Sequence, residues 1–156
     1  MKRRDGFTLI EIMVVIAILG IMAATAVPLF SRYKQRTVGS EATVMLRQIL
    51  DAEIMYFLEH NTFFPNNQTY IVTHSGASAP GGARAEILES LNVAVPVGHL
   101  LNFTITGSGD SSIDLYDCIV IISSPQNSFP LFANGDTFIR GRVDKTGKRY
   151  ILGNSK

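Results

Sequence analysis

The side chains able to do chemistry are few and scattered. His60, His74 and His99 stand at no metal-ligand spacing and are expected as surface or turn residues. Cys118 is the only cysteine, which excludes a disulfide within one chain, a C-x-x-C redox pair and a thiolate zinc site. Flanked by Ile119, Val120, Ile121 and Ile122, it reads as a small buried hydrophobe on a strand, with pairing to another chain as the alternative. Asp110, Asp114, Asp117, Asp136 and Asp144 could offer oxygens to calcium, but none fits the spacing of an EF-hand loop. The stretch NGDTFIRGRVDKTG could set Asp136 and Asp144 in neighbouring turns, where they read as ordinary turn residues. No serine lies in a nucleophile elbow, and neither G-x-G-x-x-G nor a P-loop occurs. The N-x-Thr triplets at Asn67 and Asn102 arise easily by chance. The residues therefore point to no enzyme, no cofactor and no metal.

Glu11 is the exception. It is the one acid in FTLIEIMVVIAILGIMAATAVPLFSR, and the twenty positions from Ile12 to Ser31 carry no charge. A carboxylate near the middle of a membrane helix costs about 2.5–3.5 kcal/mol, less toward the end, and such residues are functional by default. Glu11 either marks the edge of the span, in the headgroups, or meets a positive charge supplied by another molecule. The nearby basic residues all precede Gly6.

The elements that must position these residues follow from the hydrophobic pattern. Twenty apolar residues suffice to span about 30 Å of hydrocarbon as a helix. Gly20 and Pro28 interrupt the run, and Pro28 is expected to loosen or kink the preceding turn. Lys2, Arg3 and Arg4 against Asp5 give the first six residues a charge of +2, so the other 150 carry −1 of the total +1. Basic flanks stay cytoplasmic, which places the N-terminus inside and everything after Arg32 outside. The near-neutral total, without a basic cluster beyond the leader, argues against nucleic-acid binding.

After Arg32, Val38, Ala42, Met45, Ile49, Ala52 and Tyr56 recur at helical spacing, with Leu46, Leu50 and Phe57 widening the stripe. Glu41, Arg47, Gln48, Asp51 and Glu59 fall largely elsewhere, and Arg47 and Asp51 are spaced as an exposed ion pair. Continuous from Phe7 to His60, the two patterns would make a rod of 54 residues, about 80 Å long. Residues 61–83 read as loop with a short strand at Tyr70–Thr73, and Ala85–Asn92 as a short helix burying Ile87, Leu88 and Leu91. Strands are expected at 100–106, 113–122, 137–144 and 148–152, an antiparallel sheet of about four. Asp144–Lys148 is the clearest hairpin, since Gly147 can take a positive φ.

With these residues in view, RRDGFTLIEIMVVIAILGIMAATAVP resembles the N-terminus of a type IV prepilin or a type II secretion pseudopilin, over residues 1 to about 36. Gly6, Phe7, Glu11 and Pro28 occupy the family's positions. The resemblance implies an α+β fold, a long N-terminal helix whose second half packs on a small antiparallel sheet. It divides the chain into a leader (1–6), a transmembrane and assembly helix (7–31), an amphipathic half (32–60) and a head (61–156). It also implies that a prepilin peptidase cuts between Gly6 and Phe7 and methylates the new amine of Phe7. Glu11 would then pair with that amine on a neighbouring subunit, and Pro28 would belong to the same assembly helix.

The implied partners are further copies in a filament, the peptidase and methyltransferase, the inner-membrane assembly machinery and membrane lipid. The implied location is the bacterial inner membrane, head outward, and afterwards the surface pilus. Many major pilins close a C-terminal loop with two cysteines, and Cys118 has no such partner. The main alternative is a pseudopilin, disfavoured by the poor calcium signal. A soluble secreted protein cut after Ala24-Thr25-Ala26 is opposed by Glu11 and by the unbroken helix pattern after Arg32. The aromatic residues Phe7, Phe30, Tyr33, Tyr56, Phe57, Phe63 and Phe64 are expected to pack helices and the helix-to-head junction.

Overall fold

The computed structural model describes residues 7–98, 100–107 and 117–153. The expected leader at 1–6 with Gly6, and also His99, Asp110, Asp114 and the expected strand start at 113–116, lie outside the described residues. The chain forms two compact units, Met1–Lys34 and Gln35–Lys156.

Helix α1 runs over Leu9–His60 and stays helical through both Gly20 and Pro28. In the first unit its large apolar side chains, from Leu9 to Phe30, are all exposed. This part of the helix is long and apolar enough to cross a membrane.

In the second unit the helix turns amphipathic. Val38, Gly39, Ala42, Leu46, Ile49, Leu50 and Glu53 are buried. The buried stripe is thus centred on Leu46 and Leu50, while Met45, Ala52 and Tyr56 flank it half-buried. The ion pair formed at Asp51 is with Arg149 of the sheet's edge rather than with Arg47, because the edge strand reaches the charged shoulder of the helix.

Among the described residues six antiparallel strands make the sheet, against the expected four and a short strand at 70–73: β1 (Thr69–Val72), β2 (Ser78–Ala79), β3 (Asn102–Thr106), β4 (Asp117–Ser123), β5 (Phe138–Asp144) and β6 (Arg149–Gly153), in the order β2-β1-β3-β4-β5-β6. The added strand β2 is two residues long and pairs Ile71 with Ala79, too short to leave a periodic signal. Alternation sends Tyr70, Val72, Phe103, Ile105, Cys118, Val120, Ile122, Ile139 and Val143 into the core. Helix α2 (Ala83–Leu91) buries Ala83, Ile87 and Leu91; Leu88, expected in the core, is exposed, because a helix this short turns only one narrow face to the sheet.

The β5–β6 hairpin is closed by Gly147 at φ 77°. The Asp144 carboxylate accepts from the Thr146 hydroxyl and from the N–H groups of Thr146 and Lys148. Those donors, the Thr146 hydroxyl first, hold its pKa below the usual carboxylate range. Asp136 anchors a separate turn, where Leu131 N–H donates to its carbonyl at 2.6 Å and Asn134 Nδ2 to its carboxylate at 2.6 Å. The two acids sit at opposite ends of β5 rather than in neighbouring turns.

Two glycines set how closely the layers approach. A Cβ on Gly141 would lie 2.6 Å from Leu50 Cδ1 and 2.9 Å from Leu46 Cδ1, so the helix rests where the sheet has no side chain. A Cβ on Gly39 would lie 2.1 Å from the Leu131 carbonyl oxygen, so the Asp136 turn lies directly on the helix backbone. Gly39, a weak point by helix propensity, is where a loop docks. Gly39→Ala gains about 1 kcal/mol of helix propensity, but overpacking costs about 1–3 kcal/mol. Here the obstacle is backbone, which cannot rotate away. Urea unfolding of the full chain in detergent micelles is expected to show Gly39→Ala destabilised, whereas Gly20→Ala, with nothing within 4 Å of the new methyl, leaves the head's midpoint unchanged.

Candidate functional site

Helix α1 begins at Leu9, which makes Thr8 its N-cap and Glu11 its third residue. The first N–H groups of any helix lack intrahelical acceptors. Here the Glu11 N–H donates to the Thr8 hydroxyl at 3.3 Å, and the Thr8 N–H donates to Glu11 Oε2 at 3.5 Å. This reciprocal pair is a capping box, and it also sets the carboxylate at the positive end of the helix dipole. The TLIE spacing carries that signal in the sequence, where Thr8 is easily passed over beside the more conspicuous acid.

The box brings Glu11 back toward the segment that follows Gly6. The carboxylate is exposed, its bond to Thr8 is long, and it can take a further donor. Phe7 is also exposed. Pro28 lies in the same apolar run, where its carbonyl accepts from the Ser31 hydroxyl at 2.9 Å. The Thr25 hydroxyl likewise donates to the Met22 carbonyl at 2.9 Å, so both hydroxyls in this stretch are satisfied by their own helix.

The remaining described candidates make local packing and polar contacts. His60 stacks on Tyr56 with centroids 4.1 Å apart, and its Nδ1 lies 3.1 Å from the Tyr56 carbonyl. The His74 N–H donates to Asn102 Oδ1 at 2.8 Å, which ties up the side chain of one N-x-Thr triplet. Asp117 is paired with Arg142. Among the described residues no group of three or more His, Cys, Asp or Glu side chains could hold a metal ion. The aromatic residues do mark the helix-to-head junction: Phe57 stacks on Phe63 at 4.6 Å, and Phe64 meets Tyr56 and Tyr70 edge-on at 5.7 and 5.1 Å.

Glu53 was missed altogether. Its side chain is fully buried beneath this junction, where the Phe64 N–H donates to Oε2 at 3.0 Å and Oε1 has no partner. Burial pushes its pKa up to about 8, against the opposing pull of the Phe64 and Cys118 hydrogen bonds. Burial, followed by the neighbouring Glu53, likewise pushes the Cys118 thiol up. The available signal was position: Glu53 follows Ile49 and Leu46 at steps of four and three on the buried stripe.

The prokaryotic N-terminal methylation motif matches residues 1–27. The chain is 36% identical over 90 residues to a fimbrial protein of Neisseria meningitidis serogroup A, covering 58% of this chain and 50% of that one. It is 43% identical over 61 residues to the type IV major pilin protein PilA of Myxococcus xanthus, covering 39% and 28%. To the type IV wide pilus major component PilA4 of Thermus thermophilus it is 29% identical over 90 residues, covering 58% and 68%. The chain spans about half the length of the first of these curated relatives. No solved structure matches it. The chain thus carries the prokaryotic N-terminal methylation motif, packs a long helix on an antiparallel sheet, and is similar over part of its length to type IV major pilins.

Proposed function

We propose that this chain is a structural subunit of a type IV pilus. Before assembly it is held in the inner membrane by the first part of α1, with its N-terminus cytoplasmic and its head periplasmic. A prepilin peptidase cuts between Gly6 and Phe7, and the new amine is methylated. The subunit then enters a filament of further copies at the cell surface, delivered by inner-membrane assembly machinery. Its role is structural, without a reaction to catalyse.

One observation carries this reading: the first part of α1 exposes apolar side chains on every side while its single acid is held at the helix start. Lipid satisfies such a surface before assembly, and the helices of neighbouring copies satisfy it afterwards. A repeating interface that does not close on itself produces a filament. Removing the leader creates a cation at Phe7, and the exposed Glu11 carboxylate is placed to receive that group from a neighbour. Pro28 belongs to the same assembly segment.

The capping box gives Glu11 two duties that variants can separate. Thr8→Ala removes a cap, worth about 1 kcal/mol, and frays the start of α1. Glu11→Ala also removes the acceptor for the neighbour's amine. Breaking a low-dielectric ion pair by deleting one partner costs about 3–5 kcal/mol, a hundredfold or more at about 1.4 kcal/mol per tenfold. Sheared-filament yield against membrane-held subunit is expected to fall far more for Glu11→Ala than for Thr8→Ala, with both variants still processed. A normal yield from Glu11→Ala overturns the pairing.

The processing step has its own measurement. Sequencing and mass analysis of the mature N-terminus should give methylated Phe7. A mature chain beginning at Val27 would establish an ordinary signal peptide, and one beginning at Met1 an uncleaved anchor.

A further inference from the structure

We propose that Glu53 is a proton-held latch: as the neutral acid it fastens the Phe63–Pro65 segment to α1 and β4, and loss of its proton releases that segment. The inference concerns the second unit alone and does not rest on the pilus reading.

The segment is gripped from several sides. Phe63, Phe64 and Pro65 are buried, and the Phe64 N–H is donated to Glu53 Oε2. The Cys118 Sγ lies 4.0 Å from the Phe64 carbonyl oxygen. Gly107 presses on the other side, where a Cβ would lie 2.0 Å from the Pro65 carbonyl oxygen. The carboxyl is therefore enclosed by backbone and apolar side chains.

The charges around Glu53 offer no rescue for an anion. From β4 it faces the Cys118 thiol, which stays protonated in this setting, and next to that Asp117, which is held by Arg142 of β5. From β1, Tyr70 packs on Phe64 and turns its hydroxyl to Glu86 of α2. On α1 itself, Tyr56 and His60 stack on each other at the exposed side. No basic side chain pairs with Glu53 among the described residues. One N–H donor and a weak thiol donor, against two carboxylate oxygens, leave an ionised group undersupplied, and an unpaired charge in such surroundings is relieved by taking up a proton or by opening to water. As the neutral acid, Glu53 keeps the Phe64 bond through Oε2 and holds its proton on Oε1, the oxygen that accepts nothing. Ionisation sends that proton to solvent, and the carboxylate follows it by displacing the segment above.

The sign is set by the raised pKa. The unfolded group titrates near 4.5 and the folded one near 8. The stabilisation is complete below about 4.5 and is lost progressively as pH rises to about 8. Across that window one proton difference changes the folding constant by up to about tenfold per pH unit.

The test uses the full chain in detergent micelles. Amide exchange of the Phe64 N–H, corrected for the intrinsic pH dependence of exchange, should lose protection by up to about tenfold per unit from pH 5 to 8 and level off above. Glu53→Gln keeps an acceptor for Phe64 but cannot ionise, so its protection should stay flat over the same range. Equal slopes in the two proteins overturn the latch. Should Glu53→Gln not fold, the wild-type profile still decides, because a protection factor constant from pH 5 to 9 overturns it as well.

Discussion

The head depends on one close approach, that of Leu46 and Leu50 to Gly141 at the centre of β5. A sheet normally stands its side chains between itself and a helix, but here one strand position is left bare and two leucines fill it. Both leucines are fully buried as a result, and the contact fixes the rotation of α1 about its axis. With the rotation fixed, Gly39 must face the Asp136 turn and Asp51 must face Arg149. Glu53, one turn beyond Ile49, must then go inside. The burial of an acid is thus a consequence of placing the helix, and the Phe64 N–H supplies part of what that acid requires.

Packing density explains why the rest of the head tolerates little slack. Interiors are filled like molecular crystals, and small volume changes propagate. Cys118 illustrates this: it occupies an inward position of β4 between the helix and the Phe64 carbonyl, where a larger residue would displace either one. The turn at Asp136 is closed by backbone hydrogen bonds to its carbonyl and by the Asn134 side chain, and the hairpin at Asp144 by three donors on one carboxylate oxygen.

Much of this was legible in the sequence where a signal is local. The apolar run, the β3–β5 alternation and the Gly147 hairpin all rest on residues within a few positions of each other. Glu11 stood out because one charge in an apolar stretch needs no partner to be noticed. What stayed hidden depends on distant chain segments. The strand β2 forms only because β1 offers it an edge, and Asp51 finds Arg149 across 98 positions. Gly39 reads as a defect until the Leu131 carbonyl is seen against it. Leu88 has the composition of a core residue but points away from the sheet. Glu53 was concealed by expectation, since an acid on an amphipathic helix is normally assigned to the wet side.

Glu11 and Glu53 present the same physical problem on one helix and solve it differently. A carboxylate among apolar groups needs either donors or a proton. Glu11 lies at a helix start, where it shares a capping box with Thr8, and its exposed carboxylate leaves room for a further donor. Glu53 lies in the helix body, where every neighbouring backbone N–H is already spent on the turn before it, so one donor has to come from outside the helix, at Phe64. The position of an acid along a helix therefore decides what it can meet before any partner arrives: at the end it is open to a donor from another molecule, and in the middle it is enclosed by its own chain. That difference makes the first acid suited to a contact between molecules and the second suited to holding one molecule closed.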